Sequence, residues 1–174
     1  MPSHDPTEPG DWKDLPKDLV ARFDADLAPV LRRYPPERRE AAMLPALRLG
    51  QEIFGHASPA VQQLCAERLG TSAARAEEVA TFYVMFHTRP NGRHLVEVCT
   101  NVSCCLAGSD RMVRELRRKL GVENGGTTAD GRITLREVEC LGSCGTAPAV
   151  LVDEEEMVER VTPAKLESLL GSLK

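Results

Sequence analysis

Between Leu15 and Tyr34 apolar side chains recur at Leu19, Phe23, Leu27, Val30, Leu31 and Tyr34. That spacing puts one apolar stripe on a helix. The tripeptide "YPP" then stops it, because proline cannot continue the backbone ladder and restricts the residue before it. A second helix is predicted over about residues 37–54, with Pro45 marking a kink or a late start. In "GHASPAVQQLCAERLG" both ends of a third helix are written out: Ser58 as N-cap, Pro59 at the first helical position, Gly70 just past the end. A fourth, over about residues 72–86, is predicted to carry Val79, Phe82, Tyr83 and Phe86 on one face. The first half therefore reads as a small helical bundle.

After "RPNGR" the period changes. "HLVEVC" alternates, is rich in valine and predicts a strand ending at Cys99. "SDRMVRELRRKLG" predicts an amphipathic helix with Met112, Val113, Leu116 and Leu120 inward and Gly121 as its stop. "VENGGTTADG" is a turn-rich loop, and "RITLREVEC" alternates again up to Cys140. "APAVLVD" and "EMVERV" predict a hairpin whose acidic tip, Asp153 to Glu156, is best read as solvated, since like charges repel and seek water. Thr162 caps a closing helix. The fold class is α+β: an N-terminal helical bundle, then an α/β domain with a mixed four-stranded sheet, for which a thioredoxin-like layout is one solution. The boundaries drawn are a disordered lead-in over 1–14, the bundle over 15–88 and the thioredoxin-like domain over 89–174.

Composition narrows the classes. The net charge of −4 argues against nucleic acid, which usually needs a basic stripe. No apolar run approaches the roughly 20 residues of a membrane span, so no direct membrane insertion is expected. The polar, acidic N-terminus lacks both a secretory core and the Arg-rich character of a transit peptide, and reads as cytoplasmic. Six cysteines in such a compartment point to metal or redox chemistry rather than disulfides.

Cys99 and Cys140 each end a predicted strand, and Cys104 and Cys144 follow in the loops just after. Neighbouring strands would bring both loops to one sheet edge, where four thiolates converge. The pattern is C-x4-C, a gap of 35 residues, then C-x3-C. Four thiolates suit zinc or an iron–sulfur centre. The wide spacings leave room for the larger cluster, and Gly108, Gly142 and Gly145 let backbone N–H groups approach sulfur. An all-thiolate 2Fe–2S centre carries about −2 oxidised and about −3 reduced. It would draw further donors from the helix starting near Ser109 and Asp110. A thioredoxin dithiol needs C-x-x-C, which neither pair has. A Rieske centre needs two histidines, and His4, His56, His87 and His94 all lie outside the knots. Cys65, inside a predicted helix, is read as packing.

"VCTNVSCCLAGSD" with "EVECLGSCGTAPAVLV" resembles the 24-kDa-type subunit of respiratory NADH:quinone oxidoreductase, complex I. The resemblance extends to "YPPERREAAMLPALRLGQEIFG" and "EEVATFYVMFHTRPNGRHLVEVC", and so from about residue 34 to 170. It implies a thioredoxin-like ferredoxin domain with one 2Fe–2S cluster on Cys99, Cys104, Cys140 and Cys144, and electron transfer rather than bond-making. FMN and NADH would be bound by a partner flavoprotein subunit, not by this chain, which has no G-x-G-x-x-G after a strand. Further iron–sulfur subunits complete the implied peripheral arm of a membrane-bound bacterial complex. An equivalent diaphorase subunit of an NAD-linked formate dehydrogenase or bidirectional hydrogenase is the alternative, and a zinc-stabilised binding module a more distant one. The resemblance also suggests a cis bond before Pro148. Cys105, a position where family members usually carry another residue, is expected to point away from the metal and pack as a small apolar residue. Phe82, Tyr83 and Phe86 are read first as packing the bundle against the sheet and second as a docking face for the flavoprotein.

Overall fold

The computed structural model describes residues 10–174, in two compact units that divide between Pro90 and Asn91. His4 and most of the stretch read as a disordered lead-in lie outside the described residues. From Asp11 the chain forms a 3₁₀ turn, Trp12–Asp14, capped by the Asp11 carboxylate, which accepts from the Lys13 N–H.

In the first unit, helix α1 (Lys17–Leu31) buries Phe23 and Leu27. A 3₁₀ stretch, Pro36–Ala42, precedes helix α2 (Met43–Phe54). Pro45 thus falls in the first turn of α2, where a backbone N–H has no intrahelical partner and its loss costs little. The late start, rather than a kink, is what the proline marks. Helix α3 (Pro59–Leu69) is bounded as expected: Ser58 Oγ accepts from the Val61 N–H, and Gly70 closes it at φ +70°. Cys65 is fully buried, and burial pushes its thiol up to about 12, as a packing role requires. Arg68 of α3 makes a paired contact with Asp24 of α1 (2.7 and 3.1 Å) and covers the Trp12 ring at 4.8 Å.

Helix α4 (Ala73–Phe82) ends four residues short of the predicted Phe86, because Tyr83 turns to an extended backbone (φ −91°, ψ 118°). The helical face therefore does not continue. Phe86 is buried in the bundle core, but Phe82 is 75% exposed and Tyr83 39%. The expectation that all three pack the bundle is corrected to Phe86 alone. Phe82 and Tyr83 instead meet edge-on, 5.0 Å between centroids.

The second unit is a mixed four-stranded sheet in the order β2-β1-β3-β4. Strand β1 (His94–Cys99) runs parallel to β2 (Ile133–Val138) and antiparallel to β3 (Val150–Val152), which forms the hairpin with β4 (Glu156–Val158). A short helix, α5 (Val102–Leu106), and then α6 (Ser109–Leu120) follow β1, and α7 (Pro163–Ser172) closes the chain behind its Thr162 cap. Val96, Val98, Ile133, Leu135, Val150 and Val152 from the sheet share one core with Met112, Val113 and Leu116 of α6 and with Leu166 and Leu169 of α7. Two boundaries differ from expectation. Strand β2 stops at Val138, two residues before Cys140, and Cys104 sits in α5 rather than in a loop. Five residues are too few to show a helical period, so α5 left no trace in the hydrophobic pattern. At the hairpin tip Asp153, Glu154, Glu155 and Glu156 are all exposed, and Asp153 also accepts from the Leu95 N–H and meets the His94 ring at 2.8 Å. No helix among the described residues is long and apolar enough to cross a membrane.

Candidate metal centre

Parallel pairing of β1 with β2 sets Cys99 level with Val138, so the segments that follow the two strands leave from the same edge. The exit of β1 is fixed on both sides. The Cys99 N–H donates to Ala149 O at 3.1 Å, and the Thr100 N–H and hydroxyl both donate to Val138 O. Asn101 then caps α5, its side chain accepting from the Val102 N–H. One helical turn points Cys104 inward, where it is buried with Cys99 and Ala149, and leaves Val102 and Leu106 69% and 85% exposed.

The second pair lies on a looser segment. The Gly142 N–H donates to Cys140 Sγ at 3.4 Å, which requires the left-handed backbone of Gly142 (φ +78°). Cys144 opens a 3₁₀ turn, Cys144–Thr146, and its sulfur lies 3.9 Å from that of Cys140. Both are exposed. The Ala147–Pro148 bond beside them is cis.

The thiols interact across the two pairs. Burial pushes Cys99 up. Backbone donors from Asn101 and Leu141, with the thiols of Cys104 and Cys140, outweigh it and hold Cys99 below its ordinary value. Cys104 is pushed up by burial and by its contact with Cys99, against a backbone donor at Ala149, and it feels Cys144 as well. The backbone donors on Cys99 thus come from Asn101 and Leu141. No three His, Cys, Asp or Glu side chains among the described residues surround one point as a single metal ion requires. What the edge offers is a run of four neighbouring thiols, with backbone N–H groups on the sulfurs of Cys99, Cys104 and Cys140, a donor set that suits an iron–sulfur cluster.

Cys105 stands apart from this run. Its thiol donates to Thr100 O (2.9 Å) and to the Asp110 carboxylate (3.3 Å). Hydrogen bonding to Asp110, then burial, raises it. The expectation that it packs as an apolar residue is corrected: it is a hydrogen-bonded polar group, half-buried beside α6. His94 bridges Asp153 and the Lys174 carbonyl, a structural role.

One group of residues had no counterpart in the sequence reading. Ser143 and Thr146, on either side of Cys144, both donate their hydroxyls to the Glu159 carboxylate, Thr146 at 2.6 Å. The two hydroxyls flank a cysteine and so invite attention, but nothing along the chain marks Glu159, which arrives from beyond β4.

A thioredoxin-like sheet with a thiol-rich edge defines the class. The model of the thioredoxin-like [2Fe-2S] ferredoxin family matches residues 27–174, and the chain belongs to that family. It is similar to NADH-quinone oxidoreductase subunit 2 of Thermus thermophilus, with 41% identity over 82% of this chain and 78% of the relative. To a subunit of the NADH-quinone oxidoreductase of Rhizobium meliloti the identity is also 41%, covering 82% of this chain and 83% of the relative. A subunit of the NADH-quinone oxidoreductase of Mycobacterium tuberculosis is 38% identical over 93% of this chain, which spans 63% of that relative's length. Among solved structures an NAD+-reducing [NiFe]-hydrogenase in the air-oxidised state shares the fold, with a TM-score of 0.62 at 20% identity over 76% of this chain and 22% of the other.

Proposed function

We propose that this chain is an electron-transfer subunit carrying one 2Fe–2S cluster on Cys99, Cys104, Cys140 and Cys144. It would work in the NADH-oxidising module of an NADH:quinone oxidoreductase, beside a flavoprotein subunit that binds FMN and NADH. The observation that carries the reading is the meeting of four thiols at one sheet edge in a chain of the [2Fe-2S] ferredoxin family. The names of the Thermus and Rhizobium relatives support the parent complex. When bound, such a centre takes up and returns one electron.

The chain's own residues divide the work. Cys99 and Cys104, both 2% exposed, would hold the group from the buried side, and the donors on Cys99 favour its thiolate. Cys140 and Cys144, both exposed, would hold it from the accessible side. Gly142 directs an N–H at sulfur, where a reduced centre holds added charge. The exposed Val102 and Leu106 beside Cys104 supply an apolar surface of the kind that a partner covers, and in the peripheral arm of the complex that partner would be the flavoprotein.

Protein purified without oxygen tests the reading. About two irons and two sulfides per chain, with an EPR signal only after reduction, are expected. A colourless protein with one zinc overturns it.

A further inference from the structure

Little regular structure holds the second cysteine pair. Cys140 and Cys144 are exposed, β2 has ended at Val138, and the 3₁₀ turn at Cys144 is three residues long. Yet a set of contacts converges on that turn from the segment after β4. The Ser143 and Thr146 hydroxyls donate to one oxygen of Glu159 and lie 2.5 Å from each other. The next residue, Arg160, donates its backbone N–H to Thr146 O at 2.8 Å, and the Val161 N–H donates to Pro148 O at 3.0 Å. Lys165 Nζ holds the Glu159 carbonyl at 3.1 Å. Arg160 adopts φ +46°, a left-handed backbone uncommon outside glycine. That unfavourable conformation is kept where it presents the Arg160 N–H to the cysteine turn.

We propose that Glu159 is a positioning residue for the second half of the centre. Its carboxylate ties the residues on either side of Cys144 to the exit of β4 and sets a full negative charge beside the turn. The inference rests on the 2Fe–2S reading for its electrical consequence and not for its mechanical one. Mechanically, the Cys140–Cys144 turn opens less often while Glu159 holds it. Electrically, a fixed anion near the centre opposes the arrival of an electron and keeps the reduction potential low.

Three variants of the full chain separate the two effects. Glu159→Gln keeps an acceptor oxygen and removes the charge. Glu159→Ala removes both, and Ser143→Ala with Thr146→Val removes the ties and keeps the charge. In anaerobically purified protein, Glu159→Gln is expected to shift the EPR-monitored midpoint potential upward at unchanged iron content. In metal-free protein, Glu159→Ala and the double variant are expected to raise the alkylation rate of Cys144 by iodoacetamide about threefold or more, as local opening becomes easier. A Glu159→Gln potential equal to the parent's, or a Glu159→Ala alkylation rate equal to it, overturns the proposal. A parent chain without iron removes the cluster reading, and the alkylation rates then decide the clamp on their own.

Discussion

Cys104 and Cys105 are adjacent in the chain and opposite in surroundings. Cys104 is buried against Cys99; Cys105 turns its S–H to Thr100 O and the Asp110 carboxylate as a hydrogen-bond donor. Cys104→Ser is expected to drop the iron content of anaerobically purified protein from about two per chain to well below one, while Cys105→Ser keeps it. Iron retained by the first variant and lost by the second would put the ligand register one residue further on. The spacing of the cysteines made the two pairs legible, but not this difference. It depends on α5, which is too short for a hydrophobic period to announce. Arg160 was equally silent, since a left-handed backbone at a non-glycine residue leaves no mark on composition. Arg160→Gly removes the side-chain clash of that conformation and is expected to stabilise the fold by about 1 kcal/mol in urea unfolding. A destabilised variant would mean that Arg160 is not held there against its preference.

At the scale of elements, the helix signals that rest on local chemistry match the structure. Ser58 and Thr162 cap where their hydroxyls reach an N–H three residues on, and Gly70 and Gly121 stop helices with positive φ. Apolar spacing was less reliable at the end of α4, where it ran on through Phe82 and Tyr83 after the backbone had turned away. Packing sets Gly50. A Cβ there would stand 2.6 Å from Val61 Cγ1, in the contact of α2 with α3. Helix propensity favours alanine over glycine by about 1 kcal/mol, but overpacking costs about 1–3 kcal/mol. Gly50→Ala is expected to lower stability by about 1 kcal/mol in urea, and Val61→Ala in the same chain should recover part of it. In the sheet, Glu97 of β1 lies opposite Arg136 of β2, 3.6 Å from its guanidinium and 6% exposed. Burial raises its carboxyl above the ordinary range; Arg136 opposes this and Glu154 adds to it. The folded state therefore holds this proton more readily than the unfolded chain. The resulting contribution to stability is full below the ordinary carboxylate value and is lost as pH rises through the raised one. Glu97→Gln has no such slope, so its stability relative to the parent should climb from about pH 4 toward neutrality. A difference that stays flat with pH would show that Glu97 titrates alike in both states.

At the scale of the whole chain, the change of period after "RPNGR" marked the passage from helices to sheet close to the division at Pro90. The bundle core draws on Leu15 through Phe86 and the sheet core on Val96 through Leu173, with no shared residue. Residues 91–174 made alone are expected to unfold cooperatively and to assemble the same reduced EPR signal as the full chain. A fragment with no cooperative transition would make the helices a requirement for the sheet. What the chain could not spell out is the group of contacts that crosses it, such as Glu159 reaching Ser143 and Thr146. Those depend on which strands become neighbours, and strand order is not written in any local pattern.

The parallel register of β1 with β2 has one more consequence. It means that distance along the chain is a poor ruler for this site. The 35 residues between Cys104 and Cys140 include α6 and a turn-rich loop over 121–132, yet it is the register that sets Cys99 level with Val138, and not the length of that crossover, that puts the two cysteine pairs at one edge. A pattern search that counts the gap would pass over kin with longer crossovers. One that anchors each pair to the end of its own strand would find them.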